Sequence, residues 1–197
     1  MERGLLIYAP SQLMLIEVPK PDGSLSLLYL AAALEKNGIP TDILDANIGD
    51  GNDLRNTLFR FVPLENGLIK VGMSFYEIAD YVQQGNYTFV GINSNFTSQT
   101  NMVIQTAKAI KRMNKGIKVF VGGTNARAIY ERFLTTGYFD GVCMTEGEVT
   151  FPRVIKEGIE DIPGWSYIRH GEIIVNKVTD KCFEKNLDDL PMPAWSK

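Results

Sequence analysis

Lys118–Ala126 reads KVFVGGTNA, a β-branched and aromatic run that stops on two glycines. A short continuous apolar run of this kind predicts a buried strand. Gly122-Gly123 at its carboxyl end removes side chains where the chain turns, permits a positive φ and lets a bulky ligand approach the backbone. In open α/β sheets, ligands bind in the crevice outside the carboxyl ends of the strands. Two readings of the pair follow: a tight strand-to-helix turn, or a cradle.

The flanking sequence alternates strand and helix signals. Leu5–Ala9 (LLIYA) is an apolar run ending at Pro10 and predicts a central strand. Leu27, Leu30, Ala31 and Leu34 recur at helical spacing before Asn37-Gly38, which predicts a helix over Ser26–Lys36. Thr41–Leu44 predicts a second strand and Asp53–Phe61 a helix. Ser74 and Glu77 have the spacing of a capping box, in which hydroxyl and carboxylate each satisfy a free amide, so a helix runs from there to about Gln84. Phe89–Asn93, Lys118–Val121 and Asp140–Met144 are further strands, followed by helices over Gln99–Met113, Ala126–Leu134 and Val149–Glu157. This alternation predicts an α/β fold in three layers, a parallel sheet with helices on both faces and right-handed crossovers. Five strands suit the flavodoxin-like order 2-1-3-4-5, with its switch point between strands one and three.

The C-terminal part reads differently. Trp165–Ile168 and Ile173–Val178 flank Arg169-His-Gly-Glu172, the pattern of a β-hairpin. Leu187–Trp195 (LDDLPMPAW) is an extended, proline-containing linker. Residues 1–160 are expected to form the α/β domain, and 161–197 a hairpin and linker towards a further domain of a longer protein.

Composition narrows the function. At 197 residues with a net charge of −3, the chain supports one substantial core and lacks the basic stripe that nucleic-acid binding requires. No apolar run approaches the ~20 residues of a membrane span, and MERGLLIYAP lacks the parts of a signal peptide. Cys143 and Cys182 are too few for a disulfide framework, so a reducing cytoplasm is expected, with Cys143 a buried thiol.

Four loops should cluster at the carboxyl edge: Pro10–Leu25, Asn93–Gln99, Gly122–Asn125 and Thr145–Val149. The first far exceeds the ~2–6 residues of an ordinary βα turn. The second, NSNFTSQ, is rich in hydrogen-bonding side chains, and the fourth offers carboxylates beside a glycine. Each has a plainer reading, since Thr97 or Ser98 would cap a helix and Glu146 and Glu148 would complement a helix dipole. Together they favour a ligand site.

GxxxxGK[ST] and a GxGxxG after strand one are both absent, so ordinary nucleotide cradles are unsupported. The acidic residues of a phosphorylatable receiver are replaced by Ala9-Pro10-Ser11 and Asn93. There is no zinc-type CxxC or HxxxH, and the sole histidine, His170, falls in the hairpin turn.

The ordered set LSLLYLAAALEKNGIPTDILDA, FVGINSNFT, VFVGGTNA, TEGEVTFPRVI and LDDLPMPAW resembles the amino-terminal cobalamin-binding domain of cobalamin-dependent radical S-adenosylmethionine enzymes, a family of methyltransferases and related enzymes. The resemblance covers essentially the whole chain. It implies a Rossmann-like domain with cobalamin over the carboxyl edge and the nucleotide tail entering the flank of the sheet. By it, Gly122, Gly123 and Thr124 match the tail-cradling turn, and Asn93, Ser94 and Thr97 follow strand three. Glu146-Gly147-Glu148 matches a Gly-Glu-Gly-Glu stretch with Thr145 replacing its first glycine, while Ser24 and Leu25 close the first loop onto Ser26, where a glycine is common.

Two departures qualify the resemblance. Asp-x-His-x-x-Gly after strand one is missing, so no histidine is expected on cobalt and no catalytic or metal-ligating residue is assigned. A [4Fe–4S] cluster of the radical type needs three cysteine thiolates, and this chain has two cysteines. The chain alone is expected not to catalyse; S-adenosylmethionine and the cluster would belong to a C-terminal radical domain of the parent protein. The alternative from the residues is a flavodoxin-like sensing module that binds a nucleotide or a protein partner without cobalamin.

Overall fold

The computed structural model describes residues 2–21, 23–49, 51 and 53–197. The chain runs β1 (Gly4–Tyr8), β2 (Ser11–Leu13), α1 (Leu25–Lys36), β3 (Thr41–Asp45), α2 (Leu54–Leu58), β4 (Phe61–Pro63), β5 (Ile69–Val71) and α3 (Phe75–Gln84). It continues through β6 (Phe89–Asn93), α4 (Thr100–Met113), β7 (Lys118–Gly122), α5 (Thr124–Ala128), α6 (Tyr130–Leu134), β8 (Gly141–Cys143), α7 (Gly147–Glu157), β9 (Trp165–Arg169) and β10 (Glu172–Val175).

The main sheet has the order β10-β9-β8-β7-β6-β1-β3. Its five parallel strands follow the expected 2-1-3-4-5 order, with β1 between β3 and β6. Tyr8 pairs with Asp45 on one side and Asn93 on the other, and Asn93 pairs with Gly122. These residues form one row along the carboxyl edge.

Alternate side chains of each central strand feed opposite layers, as the two-residue period of a strand requires. Leu5 and Ile7 join Val90, Ile92 and Val119 against Ile78 of α3 and Val103 of α4. Leu6 and Tyr8 face the other way, with Phe89 and Phe120, against Leu27 of α1 and Phe151 of α7. Burial on both faces is why these strands read as unbroken apolar runs. At the start of α3 the capping box forms: Glu77 N–H donates to Ser74 Oγ at 3.1 Å and Ser74 N–H to Glu77 Oε2 at 2.7 Å.

The C-terminal hairpin belongs to the main sheet. β9 pairs antiparallel with β8, Cys143 opposite Trp165, and β10 with β9. His170 (φ 52°) and Gly171 (φ 83°) make its two-residue turn, the left-handed pair that matches strand twist. The second strand ends at Val175 instead of continuing to Val178. Asn176 N–H makes a last bond to the Trp165 carbonyl at 2.9 Å, and its Nδ2 donates to the carbonyls of Ile159, Glu160 and Ile162 at 3.0, 3.1 and 2.7 Å, tying the end of the hairpin to the segment before β9.

Three expectations are corrected. Asp53–Phe61 is a helix only over Leu54–Leu58, and Phe61–Pro63 is a strand. The Pro10–Leu25 loop contains β2, and β2-β5-β4 form a separate antiparallel sheet; its position 22 lies outside the described residues. Strands of three residues show too little alternation to be read; β2 is held by pairing with the distant β5, while β4 and β5 form a local hairpin. Ala126–Leu134 is two short helices, because Ile129 at φ −128°, ψ 37° breaks the helical path. Among the described residues, no helix is long and apolar enough to cross a membrane.

Candidate functional site

The carboxyl ends of β6, β7 and β8 open into a cleft of about 230 Å³, closed on its sides by α1 and the first turns of α7. An apolar cavity of about 150 Å³ accepts a benzene ring, so this space is on the scale of a bicyclic heterocycle. Phe120, Phe151 and Trp165 line its base. Phe120 and Phe151 meet edge to face at 5.2 Å, and Phe151 and Trp165 stack at 5.4 Å with 29° between ring planes. The indole N–H of Trp165 donates to Thr150 Oγ1 at 2.9 Å, and that hydroxyl donates to the Glu146 carbonyl at 3.1 Å. A buried indole is thereby satisfied without drawing a polar group into the cleft.

The polar groups are few. Asn93, 6% exposed, donates from Nδ2 to Ser26 Oγ at 3.1 Å, while its buried Oδ1 has no partner among the described residues. Thr145 Oγ1 is buried without a partner as well. Leaving such an atom unmet costs about 1–3 kcal/mol, so each is a bond that the fold itself leaves unmade. Burial raises the Glu148 carboxyl above the ordinary range, its own backbone amide at the helix start opposes this, and the neighbouring Glu146 charge adds to it. Burial likewise pushes the Cys143 thiol up to about 11, against the lowering contacts of the Thr145 carbonyl and Thr150 hydroxyl. Glu146 Oε2 accepts Glu184 N–H at 3.1 Å, which ties the C-terminal segment to the rim.

Of the residues singled out from sequence, Asn93, Gly122, Gly123, Glu146 and Gly147 line the cleft. Ser94, Thr97, Thr124, Ser24 and Leu25 are not among its lining residues. Ser94 is fully buried and buttresses α5: its carbonyl accepts the amides of Asn125 and Ala126, each at 3.1 Å, and its Oγ accepts Asn125 Nδ2 at 2.9 Å. Thr97 is exposed on a short 3-10 turn, and Thr124 is exposed at the start of α5. Ser24 is the N-cap residue of α1, its hydroxyl 2.9 Å from that of Ser26, and Leu25 is exposed.

The two glycines divide the two readings between them. Gly123 has φ +107°, and a Cβ there would stand 2.5 Å from Asn95 Oδ1 and 2.6 Å from the Ser94 carbonyl oxygen. The turn itself therefore demands glycine. Gly122 has no such φ, and its added Cβ would meet only Cys143 Cβ at 3.4 Å, beside open cleft. Sequence reasoning missed Asn95, Phe120, Phe151 and Trp165 as lining residues. Phe151 and Trp165 sit in segments read as a crossover helix and a peripheral hairpin, and nothing local announces that their rings converge.

A second hollow, of about 710 Å³, lies where the long first loop passes the small sheet, with Tyr8, Leu13, Val18, Pro19, Pro21 and Asn47 among its walls. On that loop Met14, Leu15, Ile16 and Val18 are strongly exposed. Asn47 fixes its root, accepting Ser11 N–H at 2.8 Å. Among the described residues, no group of three or more His, Cys, Asp or Glu is placed to hold a metal ion.

A family model described as a B12 binding domain matches residues 12–155. The chain is 27% identical over 152 residues to cytidylyl-2-hydroxyethylphosphonate methyltransferase of Streptomyces wedmorensis, covering 76% of this chain and 27% of that one. Two solved structures of the cobalamin-dependent S-adenosylmethionine radical enzyme OxsB are similar in fold, one with aqua-cobalamin and S-adenosylmethionine bound and one with aqua-cobalamin bound. Each has a TM-score of 0.67 and 18% identity, over 98% of this chain and 24% of theirs. The chain thus spans about a quarter of the length of these relatives.

Proposed function

Because the chain belongs to the B12 binding domain family, we propose that it holds cobalamin at the carboxyl edge of its sheet, with the nucleotide tail in the cleft between α1 and α7. One observation carries the reading: the buried, unpartnered Oδ1 of Asn93 at the end of β6, in a cleft floored by aromatic rings. The residues fit such a tail. Flat rings at the base suit a heterocycle, Gly122 leaves backbone open to it, and Asn93 and Thr145 offer hydrogen bonds that the protein leaves unmade.

The corrin would lie above the row Asp45, Tyr8, Asn93 and Gly122, beside the exposed apolar loop and the second hollow. The sole histidine, His170, is in the hairpin turn, so the first loop would hold the corrinoid without a histidine. Bound there, the corrinoid would supply methyl-transfer or redox chemistry. Ser94, Thr97, Thr124, Ser24 and Leu25 would act around the cleft by supporting its loops.

The parent protein would be a cobalamin-dependent radical S-adenosylmethionine methyltransferase or a related enzyme. Residues 161–197 would lead from the 1–160 domain towards the radical domain, which would carry S-adenosylmethionine and the [4Fe–4S] cluster; both thiols of this chain are buried and too few to hold one. Titration of hydroxocobalamin into the apo protein, followed by visible spectrum and thermal melting, tests the reading. At a free concentration of 100 Kd, binding adds about 2.7 kcal/mol of stability, which raises Tm by roughly 5–11 °C for a chain of this size. No spectral change and no Tm shift at saturation would refute it.

A further inference from the structure

The buried side-chain atoms that the cleft leaves unmet are both acceptors: Asn93 Oδ1 and Thr145 Oγ1. Asn93 commits its Nδ2 to Ser26 Oγ at 3.1 Å, leaving Oδ1, an acceptor only, as the free end of a buried side chain. Thr145 Oγ1, also unpartnered, accepts as readily as it donates. Glu146 and Glu148 add carboxylates, and no Lys, Arg or His is among the described lining residues. The Trp165 N–H, which would otherwise be a donor at the base, is engaged by Thr150. At these two buried atoms the cleft is therefore suited to a flat ring that brings N–H donors.

This bears on which tail it takes, and it rests on the proposal that a cobamide tail enters here. Dimethylbenzimidazole, joined to its ribose through one ring nitrogen, has a single lone-pair nitrogen and two methyl groups. It has no N–H and would set an acceptor or a methyl against Asn93 Oδ1. Adenine in the same place carries an exocyclic amine with two N–H bonds. We propose that the cleft selects cobamides by their lower base, preferring an amino-bearing purine to dimethylbenzimidazole, with Asn93 Oδ1 as the acceptor that reads the amine. A site that bonds a ligand N–H discriminates against the analogue lacking it, because its own buried group is then left unpaired.

The test is calorimetric titration of the apo protein with three probes: cobalamin, the cobamide whose lower base is adenine, and cobinamide, which has no base. The adenine cobamide is expected to bind about tenfold tighter than cobalamin, one well-made hydrogen bond's worth. Asn93→Leu, checked for folding by circular dichroism and melting, should bring the two affinities together. Thr145→Val should narrow the gap, and it tests the assignment should the first variant unfold. Cobalamin binding as tightly as the adenine cobamide would overturn the proposal, because the Asn93 amide would then be turning to present Nδ2. So would a preference that survives Asn93→Leu. Cobinamide matching both would place the base outside the cleft and overturn base selection while leaving corrinoid binding intact. Failure of all three probes would defeat the cobamide reading itself, and base selection with it.

Discussion

Gly122 and Gly123 are adjacent in sequence but should respond oppositely to a methyl group. At Gly123 the added Cβ enters a left-handed conformation and stands 2.5 Å from Asn95 Oδ1 and 2.6 Å from the Ser94 carbonyl oxygen. The Ser94 carbonyl cannot retreat, because it accepts the amides of both Asn125 and Ala126. Backbone strain of about 1–3 kcal/mol adds to that collision, so Gly123→Ala should lower Tm by several degrees, ~2–4 °C for each kcal/mol. At Gly122 the φ is ordinary and the nearest atom is Cys143 Cβ at 3.4 Å, a normal contact. Replacing glycine by alanine where the backbone tolerates it stabilises by about 0.4–1 kcal/mol through the unfolded chain. Gly122→Ala should therefore melt at or above the wild-type temperature.

Ligand affinity should reverse that order. A methyl on Gly122 stands beside space lined by Cys143 and the aromatic base, and overpacking a filled site costs about 1–3 kcal/mol, which is roughly 5- to 150-fold in Kd. Calorimetric titration with hydroxocobalamin, paired with thermal melts of each variant, reads both quantities. Unchanged affinity in a well-folded Gly122→Ala would show that no ligand approaches this backbone. Wild-type stability in Gly123→Ala would refute the argument from φ.

Three further outcomes follow from other parts of the molecule. Burial raises the Glu77 carboxyl, but the Arg60 and Ser74 hydrogen bonds outweigh it and hold it at about 2 against an ordinary 4.5. Its stabilisation is complete above pH 4.5 and lost as pH falls towards 2; with the pair 40% and 41% exposed, the effect is about 1 kcal/mol or less. In urea titrations Glu77→Gln should remove that part of the acid dependence, and an unaltered slope between those pH values would count against the pairing. Thr150→Val strips the partner from the Trp165 N–H, and an unmet buried donor costs about 1–3 kcal/mol; denaturant melts matching wild type would contradict the assigned bond. The Cys143 thiol, buried and raised to about 11, should resist iodoacetamide in the native protein at pH 8 and react on unfolding, as mass spectrometry of labelled peptides would show; rapid native labelling of Cys143 would contradict its burial.

What the sequence made legible follows from how each feature is encoded. The central strands are buried on both faces, so Leu5–Ala9, Phe89–Asn93 and Lys118–Val121 announce themselves as apolar runs, and short alternating connections fix their order. The capping box at Ser74 and Glu77 is local chemistry three residues apart and is equally plain. β2, β4 and β5 are three residues each; β2 pairs with β5 across 56 to 60 positions of chain, a partner that no window contains, while β4 and β5 form a hairpin over 6 to 10 positions whose strands are too short to show alternation.

The site divides along the same line. Asn93 and Gly122 can be placed at the carboxyl edge from sequence because that position is set by strand ends, which apolar runs locate. What makes Asn93 informative is that Ser26, far away in sequence, takes one end of its amide while nothing takes the other. An unmet atom is a property of a complete neighbourhood, since it depends on every group that could have reached it. The aromatic base is collective in the same sense: Phe120, Phe151 and Trp165 come from a strand, a helix and a hairpin, and each alone is an ordinary core residue. Their convergence beside Asn93 is what the proposed preference for one ring over another rests on. A perturbation confined to Asn93 should therefore change which ring binds, whereas one in the aromatic base, such as Trp165→Ala, should cost about 3–5 kcal/mol of folding stability before it reports on binding at all.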